Sequence, residues 1–261
     1  VLLTEPSVSQ LTAIAAVSAV SGMVNSIAGG GTLLTFPALL GLGVPPVSAN
    51  ATSTVALWPG SLASMLGYRR ELAGAERWAL KLAVPSIAGG LLGALLLMAT
   101  TDEQFRRIVP WLVFGATLLF AFQARVMRWL RSYTEQPHGE SPIEPTRGMM
   151  AAQFLVSIYG GYFGAGAGIV MLAVFGLMGM TNIHRMNGLK NFNGICFNGV
   201  AAATFTFKGL VNWPIVLVMA LGSSVGGYAM SGLAQRVPQA WVRGAVTLIG
   251  VASALWLFVT R

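Results

Sequence analysis

The chain has 261 residues, 55% of them hydrophobic and only 9% charged, against the roughly 25% charge of soluble domains. Sixteen Lys and Arg with eight Asp and Glu cannot coat a globule of this size in water, so lipid is the solvent for most of its surface. The net charge of +8 does not point to nucleic acid, because the basic residues sit in short gaps between apolar runs and no aromatic-interleaved basic face exists.

The first apolar run, 8–28, has no basic residue before it and reads as a span, not a signal peptide. Runs follow at 31–43, 48–68, 77–99 and 107–130, then at 147–165, 168–180, 185–207, 212–235 and 240–260. Eight approach the ~20 residues that cross a ~30 Å hydrocarbon core. The runs at 31–43 and 168–180 are too short and read as short helices or half-helices. Between the two sets, Pro137, Pro142, Pro145, Glu135, Glu140, Glu144 and His138 mark a solvated linker. The predicted units are a first transmembrane repeat at 1–130, the linker at 131–147 and a second repeat at 148–261.

The order long, short, long, long, long occurs twice, and a shift of 137 residues superimposes the two sets. Gly29 then falls on Gly166, Gly31 on Gly168, Asn50 on Asn187, Ser86 on Ser223, Gly90 on Gly227 and Arg106 on Arg243. Identities are few, and the layout carries the reading. The predicted fold is an all-α polytopic membrane protein of two inverted repeats, each of about four long transmembrane helices plus one short broken helix. Inverted repeats typify secondary transporters.

With five crossings per half and an outside amino terminus, Arg69, Arg70, Arg77, Lys81, Arg125, Arg128, Arg131, Arg147, Arg185, Arg236 and Arg243 fall inside. Arg106, Arg107, Lys208 and Arg261 fall outside, and Lys190 lies at membrane depth. Re-entrant short runs with an inside amino terminus give a bias only slightly weaker, so charge leaves the orientation open.

All eight acids, Glu5, Glu71, Glu76, Asp102, Glu103, Glu135, Glu140 and Glu144, lie in predicted loops or termini. Cation sites and proton relays in membranes place carboxylates inside the bundle. Their absence from the runs argues against a cation substrate and against a carboxylate-based membrane enzyme. With His138 and His184 alone there is no histidine cluster, and lone Cys196 builds neither a disulfide nor a metal site. The expectation is no enzyme, no metal and no cofactor.

What is embedded is neutral, polar and glycine-rich. Asn25-Ser-Ile-Ala-Gly-Gly-Gly-Thr32 and Gly164-Ala-Gly-Ala-Gly168 each divide a long run from a short one. Unwound backbone there aims helix amino termini at an anion near the midplane; close helix packing is the plainer use of the same glycines. On the next run of each half, Asn50, Ser53, Thr54, Ser61 and Ser64 share a face, as do Asn187, Lys190, Asn191, Gly194 and Asn198. These stripes serve either a substrate or interhelical hydrogen bonding, and Lys190 either a substrate or snorkelling. His184 reads as solvated, and Met149, Met150, Met171, Met178 and Met180 as core or lipid contacts.

The stretch 25–53 and the paired Asn187-Gly-Leu-Lys-Asn191 resemble the signatures of the sulfite exporter TauE/SafE family, also called the sulfonate uptake permeases. Gly164-Ala-Gly-Ala-Gly168 departs from the family's plain triple glycine. The resemblance implies a carrier in the bacterial inner membrane for sulfite, sulfonates or related organosulfur acids. Taken with the residues, it predicts a secondary transporter moving a small sulfur-containing anion by alternating access. Lys190 supplies charge, and Asn50, Asn187 and Asn191 donate hydrogen bonds, with Ser53 and Thr54 beside them. Gly29, Gly30, Gly31, Gly166 and Gly168 expose backbone N–H groups. The expected partners are the anion and the lipid bilayer, with proton coupling through a protonated form of the substrate and no nucleic acid. An anion channel, or a carrier for another small organic acid, is the alternative.

Overall fold

The computed structural model describes residues 7–68, 72, 75–134, 145–177, 180, 182–233 and 239–259. Every element among them is helical. The first half holds α1 (Val8–Ala28), α2 (Thr32–Gly41), α3 (Pro46–Tyr68), α4 (Glu76–Met98) and α5 (Asp102–Thr134). The second holds α6 (Arg147–Tyr162), α7 (Ala167–Leu177), α8 (Ile183–Phe207), α9 (Trp213–Leu233) and α10 (Gln239–Val259). The predicted all-α polytopic architecture and its order of long and short elements hold. Paired helices of the two halves begin at 46 and 183, 76 and 213, and 102 and 239, each pair 137 residues apart.

Differences from the expected runs have local causes. α5 continues to Thr134, into the predicted linker, whose residues 135–144 lie outside the described residues, as do Arg69, Arg70, Glu5, Glu71, Met178, Arg236 and Arg261. α6 stops after 16 residues at Tyr162, because Gly164 and Gly166 turn the chain with φ of 80° and 78°. Among the described residues, four helices are long and apolar enough to cross a bilayer, within Val8–Ser26, Glu76–Met98, Asp102–Phe122 and Trp213–Met230. α3 and α8 are as long, with 23 and 25 residues, but carry the Asn, Ser and Thr stripes, which they bury against other helices.

The halves interlock. α9 packs on α1 and α3 of the first half, while α4 packs on α6 and α8 of the second, and α3 meets α8 across the middle. Ser223 Oγ donates to Ala56 O at 2.7 Å and Ser64 Oγ to Gly227 O at 3.2 Å, so residue numbers rise together along α3 and α9. In the other half Ser86 Oγ donates to Asn193 Oδ1 at 3.0 Å, and a Cβ at Gly90 would lie 2.7 Å from Phe197 Cα. α4 and α8 therefore also run alongside in one direction. Without a hydrophobic drive between helices in lipid, such backbone approach at glycine and serine supplies the van der Waals contact that holds the bundle.

Two contacts join residues 137 positions apart: Trp58 Nε1 donates to Ile195 O at 3.1 Å, and Gly166 N donates to Gly29 O at 3.2 Å. The tryptophan bond links α3 to α8 at the centre of the molecule. Trp58→Phe keeps most of the ring and loses the donor, which should lower stability by about 0.5 to 1.5 kcal/mol. A fall in the thermal midpoint of the purified protein, with insertion intact, checks this.

The short helices double back. A Cβ at Gly31 would lie 2.7 Å from Ser21 O and 3.2 Å from Asn25 Cβ, so the chain re-enters beside α1 before α2 begins. Phe36 of α2, Phe105 of α5 and Phe163 close the space around this hairpin in edge-to-face contacts at 5.5 to 6.3 Å. A second apolar cluster, with Trp78 and Leu82 of α4, Val156 of α6, Met171 and Phe175 of α7 and Met186 of α8, joins these four helices. Outside, Leu80, Val84, Leu95, Leu217, Leu221, Leu248 and Leu255 are exposed, which suits lipid contact.

Candidate functional site

The break after α1, the break before α7 and the buried face of α8 meet around a small cavity of about 30 Å³. From α8 it receives Lys190, Asn191, Gly194, Phe197 and Asn198; from α1 and its cap, Asn25 and Gly29; from α3, Ser61. Gly164, Ala167, Gly168 and Met171 complete it, so the amino terminus of α7 opens onto the cavity. That helix end carries partial positive charge.

Lys190 is 3% exposed, and its Nζ donates to Ser26 O in the last turn of α1 at 3.2 Å. A cation is favoured against carbonyls at a helix carboxyl end, which positions the ammonium at the cavity wall. Asn25 Nδ2 donates to Ser61 Oγ at 3.0 Å, tying α1 to α3 at the same level. Asn191 is 6% exposed, and its Nδ2 is a buried donor with no acceptor. An unpaired buried donor costs roughly 1 to 3 kcal/mol. A lysine, an unpaired amide donor and a helix amino terminus thus border one space, and no acidic side chain is among its described lining residues.

Of the sequence candidates, Gly29, Gly168, Lys190 and Asn191 come together here. The others lie elsewhere. Asn50 Nδ2 donates to Tyr162 O at 2.9 Å, capping the carboxyl end of α6. Ser53 pairs with Thr35 at 2.6 Å, and Thr54 Oγ1 donates to Asn50 O. Gly30 packs on the Phe120 ring, and Gly166 gives its N–H to Gly29. Asn187 sits one turn before Lys190 with Oδ1 unpaired, and is not part of the lining. The first-half stripe therefore binds protein backbone and hydroxyls and reaches the cavity only through Ser61, while the second-half stripe, Asn187 excepted, lines it.

Met171 and Phe197 form the apolar wall and were not singled out by sequence reasoning as site residues. Phe197 sits seven residues after Lys190, two helical turns on the same face, and that spacing was the available signal. Its ring packs where a Cβ on Gly160 would be. Tyr159 Oη donates to Ala165 O at 2.5 Å, fixing the turn that leads into α7.

Three of the eight acids are described, and all are exposed in first turns: Glu76 on α4, and Asp102 and Glu103 on α5. Glu103 pairs with Arg107 at 2.5 Å. Asp102 Oδ1 accepts from Val47 N at 2.9 Å, capping α3 from another helix. Asp102→Asn keeps an Oδ1 acceptor for Val47 N, so it should change stability by less than about 1 kcal/mol and leave substantial flux. Loss of transport in a folded Asp102→Asn protein would give that carboxylate a part in transport.

The family model described as Sulfite exporter TauE/SafE matches residues 14–257. The chain belongs to the sulfite exporter TauE/SafE family. It is similar to the probable membrane transporter protein ORF9 of Sinorhizobium sp, 27% identical over 238 residues that cover 91% of this chain and 88% of the relative. It is also similar to the probable membrane transporter protein YfcA of Escherichia coli K12, 28% identical over 257 residues covering 93% and 87%. A probable membrane transporter protein of Haemophilus influenzae is 28% identical over 208 residues covering 79% and 78%. No solved structure matches. This TauE/SafE protein is thus a multi-pass membrane protein of a transporter family and not an enzyme. The stretches 25–53 and 187–191 both contribute to its cavity, through Asn25 and Gly29 in the first and Lys190 and Asn191 in the second.

Proposed function

We propose that this TauE/SafE protein is a secondary transporter of a small sulfur-containing anion in the bacterial inner membrane, binding its substrate at Lys190 and Asn191. The observation that carries the reading is the buried Lys190 amine and the unpaired Asn191 amide at one cavity whose described lining holds no acid. An oxyanion there accepts from both groups, and charge-assisted hydrogen bonds of this kind are roughly twice as strong as neutral ones. Sulfite, sulfonates and related organosulfur acids present such oxygens, and the family's description favours them.

The transport cycle we propose is alternating access between two inverted repeats. Supporting it are the 137-residue offset of helix starts, the two central contacts between offset-related residues, and the exchange of α4 and α9 between halves. α3 runs alongside α9, and α8 alongside α4; if consecutive helices α3 and α4 are antiparallel, α3 and α8 oppose each other. In this arrangement Arg77 and Lys208 lie on opposite sides of the membrane. Arg77→Cys and Lys208→Cys, labelled with an impermeant thiol reagent in a Cys196→Ser background, should react from opposite sides; labelling from one side would remove the inverted repeat.

The function itself is tested with purified protein. Saturable binding of sulfite, sulfate, taurine or sulfoacetate, together with counterflow in proteoliposomes, is the expected result. Flux without saturation or counterflow would make the protein a channel. Failure of all four anions to bind would end the organosulfur assignment.

A further inference from the structure

We infer that Lys190 is the coupling group of the transporter: it takes up a proton when the anion binds and gives it up when the anion leaves, so that anion and proton cross together. This rests on the anion site proposed above and adds the co-transported ion. The protein titrates at the amine, so coupling does not depend on a protonated form of the substrate.

The inference begins from where the amine sits. Lys190 is 3% exposed, with Nζ 3.2 Å from Ser26 O, and it borders a cavity whose other polar lining groups are neutral: Asn25, Ser61, Asn191, Asn198 and backbone. An anion entering the cavity favours the ammonium, whatever else the amine touches. By linkage the two events must help each other: proton binding raises anion affinity by the same factor that anion binding raises proton affinity. A neutral amine still donates to Ser26 O, so the empty site keeps its geometry after the proton leaves. The balance closes simply: a solvent proton adds to the Nζ lone pair, a monoanion binds, and both depart on the other side with no net charge moved.

Other titratable groups near α8 are placed otherwise. α8 packs on α3, α4, α6 and α7. On α4, Glu76 and Arg77 are exposed in the first turn, and Lys81 is one turn further on. On α6, Arg147 is exposed in the first turn, Tyr159 donates to Ala165 O, and the Tyr162 hydroxyl meets Thr100 at 3.4 Å. α3 contributes Tyr68 at its end; α7 has no titratable side chain, and neither has α1, whose Ser26 Lys190 touches. α8 itself adds His184, Arg185 and Cys196. Of these, none whose side chain is described lines the cavity.

The test is calorimetric titration of the purified protein with methanesulfonate, ethanesulfonate and sulfate, anions with no group that titrates in the range used. It is run at several pH values from about 6 to 9 in buffers of different ionisation heat, which separates binding from proton uptake. Expected for the wild type is binding with uptake approaching one proton per anion at some pH in that range. Lys190→Arg, whose charge does not titrate, should bind with no proton uptake, and Lys190→Met should bind weakly with none. Wild-type binding without uptake at every pH would overturn the coupling role and leave the anion site standing, as would uptake that persists in Lys190→Met. Absence of binding by all three anions would overturn the anion site, and the coupling with it.

Discussion

Lys190→Met is expected to weaken anion binding about tenfold to a hundredfold, the equivalent of one charge-assisted hydrogen bond of roughly 1.5 to 3 kcal/mol. The protein should remain inserted and as stable or more so. Methionine replaces the ammonium with a thioether of similar length, so the wall of the cavity keeps its shape and loses only its charge. An ionised lysine costs up to about 2.5 to 3.5 kcal/mol at the centre of a membrane helix and less toward its ends, so removing the Lys190 amine, seven residues into α8, relieves part of such a cost when the amine is charged. The Nζ–Ser26 O bond at 3.2 Å is lost as well, which returns a carbonyl in the last turn of α1 to weaker partners and offsets part of the relief. Direct binding measurements in nanodiscs check the affinity, and a thermal melt checks the fold. An unchanged dissociation constant would take Lys190 out of the site and leave the helix ends and amides as the whole basis for anion binding.

The parts of this molecule legible in the sequence are those set by one element at a time. Composition and run length gave the polytopic helical class, and the glycine clusters at 29–31 and 164–168 gave the breaks, since Gly29, Gly164 and Gly166 all adopt positive φ. The stripe from Asn187 through Lys190 to Asn198 was visible as a face of one helix. What the pattern does not contain is which stripe meets open space. Asn50 and Asn187 occupy matching positions, yet Asn50 spends its amide on Tyr162 O while Lys190 and Asn191, one turn after Asn187, border the cavity. At the positions matching Lys190 and Asn191, Ser53 pairs with Thr35 of α2 and Thr54 with Asn50 O, and the Ser53–Thr35 contact between two helices has no local signature. Asp102 is similar: its position in a loop was readable, but its bond to Val47 N depends on α3 and α5 starting side by side.

The second large effect is expected at Gly29, where Gly29→Ala should destabilise the protein by about 2 to 5 kcal/mol, more than Gly166→Ala at the matching position. Both glycines are left-handed, with φ of 74° and 78°, and a side chain in that region costs roughly 1 to 2 kcal/mol. They differ in what a Cβ would touch. At Gly29 it would lie 2.8 Å from Gly168 Cα, a backbone atom in the first turn of α7 that cannot rotate away. At Gly166 the nearest atom is Ala116 Cβ at 3.5 Å, an ordinary contact. Gly29→Ala therefore adds an overpacking cost of about 1 to 3 kcal/mol, and Gly166→Ala carries the backbone strain alone. The clash at Gly29 pushes α7 away from the end of α1, lengthening the Gly166 N–Gly29 O bond and shifting the Gly168 edge of the cavity. Anion affinity should fall with stability in Gly29→Ala and change little in Gly166→Ala. Thermal midpoints and binding constants of the two variants, measured side by side, check the contrast. Equal losses at both positions would mean that φ alone governs them and that the α1–α7 junction yields to a methyl group.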